Sequence, residues 1–139
     1  MGKLLGIIIA GIFINNFILV RFFGDVPLVT EPQDVNGDLY PARAPKTEIY
    51  KLIISDLEKA IQFLPTKNQY GDSDKGRASK GAAIGALAKV YLTLGQWQKV
   101  VDLTTQLEGM GYALNTDYSD NFNINKENSV ESLFEVQYA

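Results

Sequence analysis

Gly76-Arg77-Ala78-Ser79-Lys80-Gly81-Ala82-Ala83-Ile84-Gly85-Ala86-Leu87-Ala88-Lys89-Val90-Tyr91-Leu92-Thr93-Leu94-Gly95-Gln96-Trp97 is the stretch whose pattern decides the fold. Ala83, Ala86, Leu87, Val90, Tyr91 and Leu94 recur at steps of three and four, which places them on one face of a helix. A second apolar series, Trp97, Val100, Val101, Thr104 and Leu107, starts directly after Gly95 and closes at Gly109-Met110-Gly111, a glycine-rich helix ending. Helices are therefore expected over 80–94 and 96–108, folded back on each other because the connection is so short. Gly95 permits the sharp reversal. Trp97 lies on the apolar stripe, so it is expected to be buried and to fill the gap between the helices rather than to stack on a ligand. Gly81, Ala82, Gly85 and Ala86 keep one face small, so that another helix can come close.

Leu94-Gly95-Gln96-Trp97 resembles the turn signature of tetratricopeptide repeats. A single such hairpin cannot bury its own apolar face and needs a neighbour. One is available upstream. Ile49, Leu52, Ile53, Leu57, Ala60, Ile61 and Leu64 form another apolar stripe, predicting a helix over 46–64. Pro45 suits its start, Glu48 favours its first-turn dipole, and Pro65 stops it.

The remaining segments read as connections. Phe23-Gly24-Asp25-Val26-Pro27-Leu28-Val29 is a turn followed by a short extended piece, since Pro27 keeps Val26 out of the helical region. Residues 31–45 form a loop rich in Pro, Gly, Asn and Asp, and 66–79 a second polar loop. Residues 112–122 are rich in turns. Glu131-Ser132-Leu133-Phe134-Glu135-Val136-Gln137-Tyr138 alternates imperfectly, as a short strand does. Asp72-Ser73-Asp74 and Asp34-Val35-Asn36-Gly37-Asp38 invite a calcium reading, but Arg77 and Leu39 stand where the EF-hand turn needs glycine, and Ala83 where it needs glutamate. No metal site is expected.

Composition narrows the function. The 139 residues are 46% hydrophobic, carry a net charge of −3, and contain no cysteine and no histidine. Cys/His zinc sites, disulfides, cysteine nucleophiles and a Ser-His-Asp triad are thereby excluded within the chain. Scattered Lys and Arg with no basic run argue against nucleic acid. The 16 acidic residues include no pair placed recognisably as glycosidase acid and nucleophile. No catalytic residue and no cofactor is expected. Loop aromatics with polar neighbours, Tyr40, Tyr70 and Tyr118, are the candidates for contacting a ligand, with packing as the alternative role of each.

Residues 1–20 differ from the rest. Leu4 to Val20 is an apolar run broken only by Gly6, Gly11 and Asn15-Asn16, at the short end of what spans a bilayer. A signal peptide lacks a cleavage site here, and a buried core helix is the plain alternative. Ile14-Asn15-Asn16-Phe17-Ile18-Leu19-Val20, with Phe22 and Gly24, resembles the first membrane segment of the Rnf/Nqr electron-transport subunits, without the cysteine that family places shortly afterwards. A boundary near Val20 or Arg21 is expected, dividing a membrane-like segment 1–20 from a body 21–139.

That body resembles the SusD/RagB family. The resemblance is carried in order by Arg21-Phe22-Phe23-Gly24-Asp25-Val26-Pro27-Leu28-Val29, Pro41-Ala42-Arg43-Ala44-Pro45, Ile53-Ile54-Ser55-Asp56-Leu57, the block from Gly76 to Leu92, and Glu131 to Tyr138. It implies a mainly α fold, a fragment of a larger SusD-like structure with tetratricopeptide-like hairpins, irregular loops and a short strand. It further implies non-enzymatic binding of oligosaccharides at the surface of the outer membrane, for uptake through a SusC-like TonB-dependent transporter. The family's lipidated start and much of its C-terminal half have no counterpart in these 139 residues. Two alternatives stand beside this reading: a tetratricopeptide-type scaffold for a protein partner, and a fragment of an Rnf/Nqr-type membrane subunit.

Overall fold

The computed structural model describes residues 17–30 and 40–136. The chain divides into two compact units, the first ending at Asp56 and the second beginning at Leu57.

In the first unit, helix α1 (Ile18–Phe23) is closed by Gly24, whose φ of 71° is left-handed and whose N–H donates to the Val20 carbonyl at 3.0 Å. Two short strands follow, β1 (Val26–Pro27) and β2 (Arg43–Ala44), paired antiparallel with Val26 opposite Ala44 and Pro27 opposite Arg43. Helix α2 (Lys46–Phe63) begins directly after them. Its first free N–H, that of Lys46, donates to Asp25 Oδ1 at 2.8 Å, so a side chain 21 residues upstream serves as its N-terminal cap. Glu48 lies in the first turn, where the helix dipole favours an anion. Ile49 and Ile53 are fully buried.

Residues 1–16 of the membrane-like segment lie outside the described residues. Its last four do not all face one environment: Phe17 and Val20 are buried, whereas Ile18 and Leu19 are exposed. The Phe17 ring meets Tyr50 edge-on with centroids 6.5 Å apart. Burial raises the Tyr50 phenol pKa, while the Arg21 charge opposes that rise. Helix α1 runs without interruption across the expected boundary at Val20–Arg21. Among the described residues no helix is long and apolar enough to cross a membrane.

The second unit takes the last turns of α2, burying Leu57, Ala60 and Leu64. Helix α3 (Lys80–Thr93) is capped by Ser79, whose Oγ accepts from the Ala82 N–H at 3.3 Å. Gly95 at φ 70° reverses the chain, and the Gln96 N–H returns to the Tyr91 carbonyl at 2.9 Å. Helix α4 (Trp97–Glu108) then folds back on α3. The three main helices fall within one residue of the bounds their apolar stripes predict.

Burial in the hairpin is unequal. Helix α3 buries Ala83, Ile84, Leu87, Ala88, Val90 and Tyr91, whereas α4 has no fully buried residue. The expected burial of Trp97 is corrected: its side chain is 65% exposed and Val101 is 56% exposed. The half-buried positions of α4 are Val100, Leu103 and Leu107. At about 100° per residue this line lies to one side of Trp97, Val101 and Thr104. The apolar arc is wider than the surface α3 offers, and Trp97 falls on the uncovered part.

Two further expectations are corrected. Residues 131–136 are irregular rather than a strand. A strand requires a continuous ladder, and here a bond from the Ala113 N–H to the Val130 carbonyl at 3.3 Å is not extended into one. Residues 137–138 lie outside the described residues. At Gly81 and Gly85 the small face of α3 receives loop side chains rather than a helix. A Cβ built on Gly81 would sit 2.6 Å from Tyr112 Cε2 and Cζ, and one on Gly85 would sit 2.8 Å from Leu133 Cδ1.

Candidate functional site

The second unit contains a cleft of about 340 Å³ between the α2–α3 connection and the segment after α4. Its first wall follows from the chemistry of the connection. Pro65 ends the helical run, and Thr66 opens a 3-10 turn (Lys67–Gln69) in which its N–H donates to Gln69 Oε1 at 2.8 Å. A second such turn spans Asp72–Asp74. Between them Tyr70 is half-buried, and its hydroxyl donates to the Ala78 carbonyl at 2.8 Å, which fixes the ring against the wall. Burial raises the Tyr70 pKa, Arg77 opposes this and Asp74 adds to it. Lys75 pairs with Asp72 at 2.6 Å and Arg77 with Asp74 at 2.9 Å. Both cations line the cleft, whereas the two aspartates do not.

The second wall is the irregular segment 128–135. Asn128 takes a left-handed φ of 54°, a conformation asparagine tolerates better than most residues, and its N–H donates to Glu135 Oε2 at 2.9 Å. Leu133 and Phe134 supply apolar surface, with Phe134 half-exposed.

Lys67 ties the two walls together. Its ammonium donates to the carbonyls of Ser129 at 2.6 Å and Ser132 at 3.0 Å, and it stands 5.9 Å from the Tyr112 ring centroid. Partial burial lowers its pKa, while the Glu135 charge opposes that shift. Bound to fixed backbone oxygens, Lys67 is a strut and not a reagent. Behind it the buried Ser79 hydroxyl lies 3.3 Å from the Tyr112 hydroxyl.

Of the three aromatics expected to meet a ligand, the cleft holds Tyr70. Tyr118 is 75% exposed in another 3-10 turn (Tyr118–Phe122), edge-on to Phe122 at 5.4 Å, and does not line the cleft. Tyr40 belongs to the first unit and is 90% exposed. Within the second unit, the cleft thus includes Tyr70 and not Tyr118. Lys67, Arg77, Asn128 and Phe134 were not singled out from the sequence as site residues. Phe134 was hidden by the strand reading, and the others have no local pattern that marks them. Among the described residues no group of acidic side chains is placed to hold a metal ion; Asp34 and Asp38 of the first calcium-like stretch lie outside them.

Comparison with known proteins gives one family. Residues 14–92 match the SusD-like family model described as starch-binding and associating with the outer membrane. That match begins within the stretch that resembles an Rnf/Nqr membrane segment. A SusD-like protein of Bacteroides ovatus is 33% identical over 135 residues, covering 88% of this chain and 24% of the relative. SusD-like protein P25 of Formosa agariphila is 30% identical, covering 87% of this chain and 23% of its own length. The chain thus spans about a quarter of the length of these relatives. Among solved structures, a SusD-like protein from Bacteroides fragilis superposes with a TM-score of 0.82 at 26% identity, over 100% of this chain and 28% of the other. A laminarin-binding SusD-like protein superposes with a TM-score of 0.78 at 31% identity, over 88% and 28%.

Proposed function

The chain belongs to the SusD-like family, and on that premise we propose that it is part of a surface protein that captures oligosaccharides without cleaving them. The observation that carries the reading is the likeness to a laminarin-binding member across most of this chain. The family description supplies the setting, association with the outer membrane. In this reading the captured sugar passes to a SusC-like TonB-dependent transporter, and the protein works on the outer face of that membrane.

The chemistry of the second unit is compatible with this role. Sugar sites combine an aromatic face with fixed hydrogen-bonding groups. The cleft pairs Tyr70 and Phe134 with Asn68, Asn128 and Arg77. Tyr118 in the same unit and Tyr40 in the first unit, both exposed, are further rings with a free face for a sugar.

The test is calorimetric titration of the full-length protein carrying this segment with laminari-oligosaccharides and a panel of other glycans, alongside an assay for released reducing ends. Saturable binding with no release is expected. Absence of binding across the panel, or hydrolysis of any member, refutes the proposal. Copurification with a TonB-dependent transporter from outer membranes tests the partner, and its absence under mild solubilisation counts against that part.

A further inference from the structure

We infer that the cleft between the α2–α3 connection and residues 128–135 is an acidic-sugar subsite, one that takes a uronate-type residue through Arg77 and Lys75. The inference rests on the oligosaccharide-binding reading and names the class of sugar and the residues that select it.

The charges on the cleft wall are the basis. Four ionised groups line it: Lys67, Lys75, Arg77 and Glu135. Lys67 and Glu135 offset each other, since the Glu135 charge acts directly on the Lys67 ammonium, and both are already committed to backbone groups. Lys75 and Arg77 remain. Their aspartate partners sit off the lining, so the cleft meets the cations and not the anions. The lining thus presents the cations of two ion pairs whose carboxylates lie off it, and an anionic ligand reaches them by taking the place of those carboxylates.

The pairs that hold those cations are easily rearranged. Lys75–Asp72 has side chains 63% and 93% exposed, and Arg77–Asp74 has 42% and 38%. Exposed pairs of this kind are worth little, about 0–1 kcal/mol. The Arg77 contact to Asp74 is made through Nη2, which leaves most of the five-donor guanidinium fork for a second carboxylate.

Size and shape favour a sugar over a smaller anion. A volume of about 340 Å³ is at the lower end of the range for small-molecule sites, roughly 300–1,000 Å³. It suits one or two sugar rings. The Tyr70 ring is held in place by its hydroxyl bond to Ala78 and offers a face for the C–H surface of a pyranose. The amide of Asn68, in the lining, has a donor and an acceptor for ring hydroxyls.

The experiment is titration of the full-length protein with a neutral glucan hexamer and with an oligogalacturonate of matched length, at low and high salt. Wild type is compared with Arg77→Gln, Lys75→Gln and the double variant. The acidic oligosaccharide is expected to bind, more weakly as salt rises. Arg77→Gln should weaken it roughly tenfold or more, as loss of a charge-assisted hydrogen bond requires, and weaken any neutral binding by a smaller factor. Tight neutral binding with no acidic binding overturns the inference and leaves the oligosaccharide reading intact. Acidic binding unaffected by the double variant places the site elsewhere and also overturns it. Binding of neither sugar overturns both. Unchanged far-ultraviolet circular dichroism of the variants shows that they fold.

Discussion

Replacing Gly81 by alanine should destabilise the second unit even though alanine is the better helix former. Gly81 lies in the first turn of α3, directly under the Tyr112 ring, with two ring carbons 2.6 Å from where a Cβ would stand. The ring cannot slide aside freely, because its hydroxyl meets the buried Ser79 hydroxyl at 3.3 Å and the Lys67 ammonium lies 5.9 Å from its centroid. Forcing it off this seat is an overpacking defect of about 1–3 kcal/mol. The intrinsic preference of alanine over glycine returns at most about 1 kcal/mol, and less so near a helix end. The net expectation is a loss of about 1–2 kcal/mol. In a Tyr112→Ala background the obstruction is gone, so Gly81→Ala should stabilise by up to about 1 kcal/mol. The sign reverses, and the coupling between the sites is about 2 kcal/mol. Guanidinium denaturation of the four proteins, followed by far-ultraviolet circular dichroism, measures it. A stabilising Gly81→Ala in both backgrounds would show that the ring does not rest on Gly81. Gly85→Ala is the control. There a lone Leu133 methyl obstructs at 2.8 Å, a flexible end that can rotate, so a change near zero is expected.

Three other outcomes follow from burial and hydrogen bonding. Trp97→Ala should change the unfolding free energy by less than about 1 kcal/mol, because the ring is 65% exposed; a loss of 3 kcal/mol or more in denaturant titration would mean that it is packed. Phe17→Ala should cost about 3–5 kcal/mol, since the side chain is buried and meets Tyr50; a neutral result would show that the end of the apolar N-terminal run is not core. The Ser119 N–H donates to the Asp117 carboxylate at 2.9 Å and holds its pKa below the usual 3.8. A carboxylate depressed in the fold contributes stability that is present above its unfolded pKa and lost as pH falls through the folded one. A carbon-detected NMR titration should therefore place the Asp117 midpoint below 3.8, and a midpoint at or above that value refutes the cap.

The helices were legible because their signal is local. Ile49, Ile53, Leu57 and Ala60 repeat at helical spacing and all are buried, so the stripe and the core coincide. Trp97 was misplaced for a related reason. A stripe shows that a face is apolar, but it does not show how much of that face a neighbour covers. Helix α4 has an apolar arc broader than its contact with α3. The strand expected at 131–138 failed because alternation alone does not provide a pairing partner, and Leu133 and Lys67 impose a different arrangement there. The cleft was the least legible part. Its walls are joined by Lys67 reaching carbonyls 62 and 65 residues away, and no local periodicity records a contact at that distance. Tyr70 was found as a loop aromatic with polar neighbours, a criterion that could not separate it from Tyr40 and Tyr118.

Trp97 is the single tryptophan of these 139 residues, and its place at the head of α4, open to solvent, makes it an optical gauge. Its emission reports on the uncovered side of the hairpin and on little else. The cleft is lined by other side chains, so a sugar entering it should leave the tryptophan spectrum almost still. A protein surface or further helix laid over α4 would shift that spectrum to the blue and shield the indole from aqueous quenchers. One fluorescence titration thus separates ligand capture from coverage of the hairpin, with no label added.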